Sequence, residues 1–211
     1  TNRGVRQPVG RVYTRITNSS TSNNSQRKVR AYVPRYEVQA AKSAIGSFLT
    51  DDTRHLSILS DAQNEQLDIS KGTGTSFTKN DAALSAEAIA NFRSMAGDNL
   101  LKNYTFQANT GSSQKLEISN VLVSVNLDLL CFNLSKGGVG GVMIQTSKAV
   151  ASKSWREDHA KCVASLVWMS ANNSLSHHGD VDRKLCLAID VFAKKVTQTP
   201  AHYKSCLLYT S

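Results

Sequence analysis

The chain has 211 residues, of which 40% are hydrophobic and 19% are charged, and its formal net charge is +9. This length allows one domain of ordinary size with a real hydrophobic core. No stretch approaches 18 consecutive apolar residues, so no membrane-spanning helix is expected. The cysteines are few and scattered, which disfavours a disulfide framework and fits a reducing compartment.

The positive charge is concentrated at one end of the chain. Residues 1–36 hold eight basic and no acidic side chains, whereas the remaining 175 residues hold 17 basic and 16 acidic ones. Residues 17–26 are a polar, low-complexity run that cannot bury apolar surface. We therefore predict a flexible, partly disordered basic arm over 1–36, followed by a single globular domain over 37–204.

The first half of this domain has helical periodicity. Apolar side chains recur at helical spacing over residues 38–49. A second, shorter helix is predicted to follow, capped by Asp51 or Asp52, with Leu56 and Leu59 facing inward. A loop is predicted over residues 70–80. A third helix is then expected to run from residue 81 to residue 97.

The middle of the chain has the period of a β-strand. Residues 103–134 alternate apolar and polar side chains, which predicts two or three antiparallel strands with one buried face. Residues 155–169 and 181–196 return to helical spacing and predict two C-terminal helices. The predicted fold class is therefore α+β and predominantly helical, with a small antiparallel β element in the middle.

A glycine-rich segment follows the predicted strands. Residues 136–140, Lys-Gly-Gly-Val-Gly, resemble the start of the deviant phosphate-binding loop of ParA/MinD-type ATPases. Such a loop needs a lysine for charge and a Ser or Thr hydroxyl for magnesium. Gly141 and Val142 stand at those two positions instead. We therefore predict a flexible turn here, and no nucleotide or other cofactor.

Metal-binding and catalytic patterns are also weak. His159 and Cys162 are three residues apart on a predicted helix, and His177, His178 and Cys186 lie downstream. A zinc site needs four ligands and is signalled by paired spacings such as C-x-x-C, which the sequence lacks. No nucleophile elbow is present, and residues 156–159 are interpreted as a solvent-facing helix start. We predict no metal ligands and no catalytic residues.

The last six residues, 206–211, read Cys-Leu-Leu-Tyr-Thr-Ser. They match an in-frame translation of a transposase-based sequencing adapter. We interpret them as a sequencing-adapter scar and leave them out of the fold prediction.

The basic arm carries the clearest functional signal. Seven of its eight cations are arginines, whose planar guanidinium matches phosphate, and three tyrosines lie among them, where they can stack on unpaired bases. The predicted nucleic-acid-binding residues are Arg3, Arg6, Arg11, Arg15, Arg27, Lys28, Arg30, Arg35, Tyr13, Tyr32 and Tyr36.

A basic arm on a nearly neutral body is the layout of proteins that package nucleic acid. By this architectural analogy we predict a non-enzymatic structural subunit of the coat or nucleocapsid type, cytoplasmic or in a virion, that self-associates and binds single-stranded RNA. One alternative is a basic linker or scaffold subunit whose arm docks onto an acidic multiprotein assembly. Another is a fragment of an enzyme whose catalytic residues are missing.

Overall fold

The structure, a computed structural model, describes residues 38–118, 120–148 and 153–203. Of these residues, 49% are helical and 23% lie in strands. The helices are α1 (Gln39–Thr50), α2 (Ser57–Lys71), α3 (Ser76–Met95), α4 (Asn99–Lys102) and α5 (Lys153–Ser174). The strands are β1 (Thr105–Ala108), β2 (Gln114–Ile118), β3 (Val121–Val125), β4 (Leu129–Asn133), β5 (Gly138–Gln145), β6 (Asp180–Val181), β7 (Leu187–Asp190) and β8 (Lys195–Gln198).

Six of these strands form one mixed sheet in the order β1-β4-β5-β7-β8, with β6 also paired to β5. Strand β4 is antiparallel to β1 and to β5, β5 is parallel to β6 and β7, and β8 is antiparallel to β7. Helix α5 connects β5 to β7, as a parallel pair requires a crossover connection. The strands β2 and β3 form a separate hairpin.

The predicted fold class is therefore wrong. The sheet is mixed and central, and the described residues contain five helices. Helix α5 matches the first predicted C-terminal helix, but residues 181–196 form strands and a 3₁₀ turn instead of the second. All four residues of β7 are buried. A strand buried on both faces is a continuous apolar run, and such a run also satisfies helical spacing.

The predicted glycine-rich turn is also mostly wrong. Only the first part of that segment turns, at Gly137, where φ is +68°. From Gly138 onward the chain is the central strand β5. A Cβ atom on Gly141 would lie 2.8 Å from Cδ1 of Leu127, so the glycine fits a closely packed strand rather than a flexible turn.

The predicted helices of the first half are confirmed in type but not in all their bounds. Helix α3 begins at residue 76, within the predicted loop, because the Thr75 side chain accepts a hydrogen bond from the Thr78 N–H and caps it. Asp51 does not cap α2; its carboxylate accepts the Thr53 N–H in the turn before that helix. Leu59 is buried as predicted, but Leu56 is exposed.

The sheet is buried on both faces by two hydrophobic cores. One core lies between the sheet and the helices α1 to α3, and its large side chains include Ile45, Phe48, Ile89, Phe92, Leu129, Ile144, Leu187 and Ile189. The other lies between the sheet, α5 and the β2–β3 hairpin, and includes Leu116, Val125, Leu130, Val139, Val163, Val167 and Ala188. Within the described ranges, every helix is too short or too polar to cross a bilayer.

Candidate nucleic-acid interface

All eleven predicted binding residues lie within residues 1–36, outside the described ranges. The described chain begins at Val38, which is 2% exposed and precedes α1. Val38 belongs to the core between the sheet and α1 to α3, and its carbonyl accepts the Lys42 N–H. The described part of the chain therefore begins at a buried and hydrogen-bonded residue.

Many charges of the body lie next to an opposite charge of the body. The salt bridges in the described ranges include Lys42–Asp128, Lys148–Glu87, Arg156–Asp190, Lys161–Asp158 and Lys195–Glu157. The cations of the arm, in contrast, have no acidic side chain within their own 36 residues. The body neutralises itself and the arm does not.

The most buried of these ion pairs joins α5 to the end of β7. Nε and Nη2 of Arg156 donate to the two carboxylate oxygens of Asp190 at 3.1 and 2.6 Å, and Asp190 also accepts the Ala193 N–H at 2.9 Å. The Asp190 side chain is 7% exposed. The interpretation of residues 156–159 as a solvent-facing helix start is thus wrong for Arg156. Its partner lies 34 residues away, so no local pattern could have indicated it.

His159 lies beside this ion pair, on the exposed side of α5. Its Nδ1 is 3.3 Å from Nε2 of Gln145. Partial burial lowers the pKa of the imidazole; Arg156 lowers it further, while Asp190 opposes the shift. A neutral imidazole can accept a hydrogen bond here. Because Asp190 is already engaged by Arg156, we interpret the group as a structural cluster rather than an acid–base pair.

Cys131 and Cys186 are buried free thiols. Burial raises the pKa of Cys131, and it raises that of Cys186 to about 12. Thiols that stay protonated are poor metal ligands and nucleophiles. Across residues 38–118, 120–148 and 153–203, no group of three or more His, Cys, Asp or Glu side chains is placed to hold a metal ion.

A second polar surface lies at the N-terminal end of β5. In the sequence, its histidines were weighed only as possible metal ligands. We define the β5 amino edge as the turn at 134–137, the 3₁₀ turn at 176–178 and residues 180–185. Backbone pairing joins Gly138 to Asp180, and the His178 ring packs edge-on against Phe132 with the ring centroids 6.4 Å apart. The exposed cations and histidines of this edge include Lys136, His177, His178 and Lys184.

Compared with known proteins, the chain matches no family model, no curated protein and no solved structure.

Proposed function

We propose that this protein is a non-enzymatic structural subunit that binds single-stranded RNA through its N-terminal arm and self-associates through its body. The observation that carries the proposal is the division of charge along the chain. Residues 1–36 hold eight cations and no carboxylate, whereas the other 175 residues hold 17 cations and 16 carboxylates. A polyanion is the partner that such a segment attracts most strongly.

The pairing of charges within the body supports this division of roles. Nζ of Lys148, which follows β5 in the chain, is 2.8 Å from Oε1 of Glu87 on α3. Nη2 of Arg156 is 2.6 Å from Oδ1 of Asp190. Such pairs leave the body little long-range attraction for phosphate. The arm's arginines can instead each engage a phosphate through a planar fork, and its tyrosines can stack on unpaired bases.

The salt dependence of RNA binding by the full chain tests this proposal. With up to eight phosphate contacts to a single strand, the plot of log K against log salt should have a slope of about −5 to −6, or about −0.7 per contact. Replacing Arg27, Lys28 and Arg30 by alanine should flatten the slope by about 2. This loss should be nearly independent of base sequence, because phosphate contacts do not read bases.

A matched control removes the same charge from the body. The exposed residues Lys71, Lys102 and Lys115 are replaced together by alanine, and the slope should stay unchanged. Equal slopes for the two triple variants would contradict the proposal, because binding would then follow net charge alone. Tight, salt-sensitive binding to an acidic protein, with none to RNA, would favour the scaffold alternative instead.

Size-exclusion chromatography of the full chain tests the second half of the proposal. Absorbance recorded at two wavelengths reports both the size of the assembly and any nucleic acid that purifies with it. We expect an oligomer that carries nucleic acid at low salt and releases it at high salt. A monomer that is free of nucleic acid at every salt concentration would contradict a packaging role.

A further inference from the structure

We propose that the β5 amino edge is a second RNA-contacting surface, on which His177 and His178 stack against the bases of the strand held by the arm. The inference rests on the proposed function and adds to it a base-stacking site on the folded body. Its chemistry differs from that of the arm, since stacking depends on aromatic faces rather than on net charge.

The two histidines form a supported pair of aromatic rings. Their centroids are 4.1 Å apart with an interplanar angle of 40°, and both residues are exposed. Behind them, the partly buried Phe132 meets the His178 ring edge-on, at 83°. Phe132 packs against the core beneath α5, so the ring pair is attached to the body's interior. Exposed aromatic rings fixed in this way provide a stacking surface for unpaired bases.

The backbone that carries these rings is anchored on both sides. The His178 N–H donates to the carbonyl of Leu175 at 2.9 Å, and Leu175 is buried. On the other side, Gly179 has a φ of +138°, which an L side chain rarely adopts, and the chain then enters β6 beside β5. The 3₁₀ turn is therefore held before any ligand binds, which lowers the entropy cost of binding.

The charges around the rings are mixed and leave a small positive excess. The cations are Lys136, Arg183 and Lys184, and the carboxylates are Asp180 and Asp182. One carboxylate is engaged locally, because Asp182 accepts the Lys184 N–H at 2.8 Å. Nη1 of Arg183 donates to the Ala201 carbonyl at 3.1 Å. A net charge of +1 can attract a phosphate but supplies little salt-dependent affinity. Stacking should therefore contribute most of the binding free energy at this edge.

The two surfaces should therefore contribute to different parameters of one measurement. Arm contacts set the slope of log K against log salt, whereas stacking sets the affinity that remains when the plot is extrapolated to high salt. The experiment uses the full chain, a labelled single-stranded oligouridylate and the variant His177→Ala/His178→Ala. We expect an unchanged slope and a fall in the extrapolated affinity of about 5- to 150-fold for the loss of one stacked base.

Three further single variants control for folding and for the loss of an exposed histidine. His177→Tyr keeps an aromatic face and should keep most of the affinity, whereas His177→Ala alone should lower it. His55→Ala removes an exposed histidine in the turn before α2, outside the β5 amino edge, and should change nothing. Thermal melting of each variant identifies any that fails to fold, and the single variants at residue 177 then decide the question.

The outcomes separate this inference from the proposed function. An extrapolated affinity that is unchanged in the double variant, with a normal slope, would overturn the stacking site and leave the arm proposal standing. A slope near zero for the wild-type chain would overturn the arm proposal itself. Loss of binding to polyglutamate in the double variant, with RNA binding unchanged, would assign this edge to a protein partner and overturn the inference.

Discussion

Gly140 of β5 lies directly against the backbone of Leu185. A Cβ atom at residue 140 would be 2.4 Å from both the carbonyl carbon and the carbonyl oxygen of Leu185, closer than real Cβ contacts allow. The obstacle is backbone, which cannot rotate away as a flexible side chain can. We predict that Gly140→Ala lowers the free energy of unfolding by about 3 kcal/mol or more, measured by urea denaturation.

Gly46 provides the matched control for this substitution. It lies within α1, and an added Cβ would meet only Cδ2 of Leu129, at an ordinary distance of 3.8 Å. Because alanine favours a helix over glycine, Gly46→Ala should raise stability by about 0.5–1 kcal/mol. Equal changes in the free energy of unfolding for Gly46→Ala and Gly140→Ala would contradict the expected clash between a Cβ atom at residue 140 and the Leu185 backbone.

The buried pair of Arg156 and Asp190 gives the second prediction. Their side chains are 17% and 7% exposed, so removing one partner leaves a charge with little access to water. Asp190→Ala should cost about 3–5 kcal/mol in urea denaturation. Arg156→Lys should also destabilise the protein, since an ammonium cannot make both hydrogen bonds of the guanidinium. The double variant Arg156→Leu/Asp190→Leu should cost less than the sum of the single losses.

The exposed pair of Lys148 and Glu87 is the control for that cycle. Its hydrogen bonds are short, at 2.8 Å, but the side chains are 54% and 43% exposed. Water and salt screen such a pair, so Glu87→Ala should cost less than about 1 kcal/mol. A larger loss at residue 87 than at residue 190 would contradict the view that burial decides the importance of these pairs.

Sequence periodicity predicted the helices better than the sheet, for a physical reason. Helix α1 has one buried face, and its apolar residues recur at the spacing that a half-buried helix requires. Strand β7, Leu-Ala-Ile-Asp, is covered on both faces, so it shows no alternation that could distinguish it from a helix. The segment of strand β5 is predicted as a flexible turn because glycines are typical of turns, but here they allow close packing in the sheet.

The polar contacts of the body could not be predicted from local sequence. Arg156 and Asp190 are brought together only by the α5 crossover, and Phe132 and His178 only by the pairing of β6 with β5. In contrast, the charge of residues 1–36 is visible in composition alone, since it depends on no fold. The assignment of the arm as the binding segment rests on this composition and stays a prediction.

The reactivity of the thiols gives a third prediction. Cys131 and Cys186 are fully buried, and burial raises the pKa of Cys186 to about 12. At pH 8 the Cys186 thiol is therefore almost entirely protonated. Iodoacetamide should alkylate the partly exposed Cys162 first and reach Cys131 and Cys186 only after denaturation, as read by peptide mass mapping. Equal labelling of all three in the native protein would show that the sheet opens readily.

The pH dependence of stability gives the last prediction, at His159. Partial burial lowers its folded pKa below the ordinary value of 6.5, so the unfolded chain binds a proton more readily than the folded one. The contribution of His159 to stability should therefore be most favourable where the imidazole is neutral, should fall as the pH drops through 6.5, and should level off below the folded pKa.

His159→Gln cannot titrate, so it isolates this effect. Relative to the variant, the wild type should lose stability as the pH drops through the ordinary imidazole pKa of 6.5, in urea denaturation at matched salt. The loss should be modest, because the side chain is exposed and solvent screens the charge. A wild type that instead gains stability relative to the variant at low pH would mean that attraction to Asp190 exceeds the cost of burial. The imidazolium would then be part of the Arg156–Asp190 cluster.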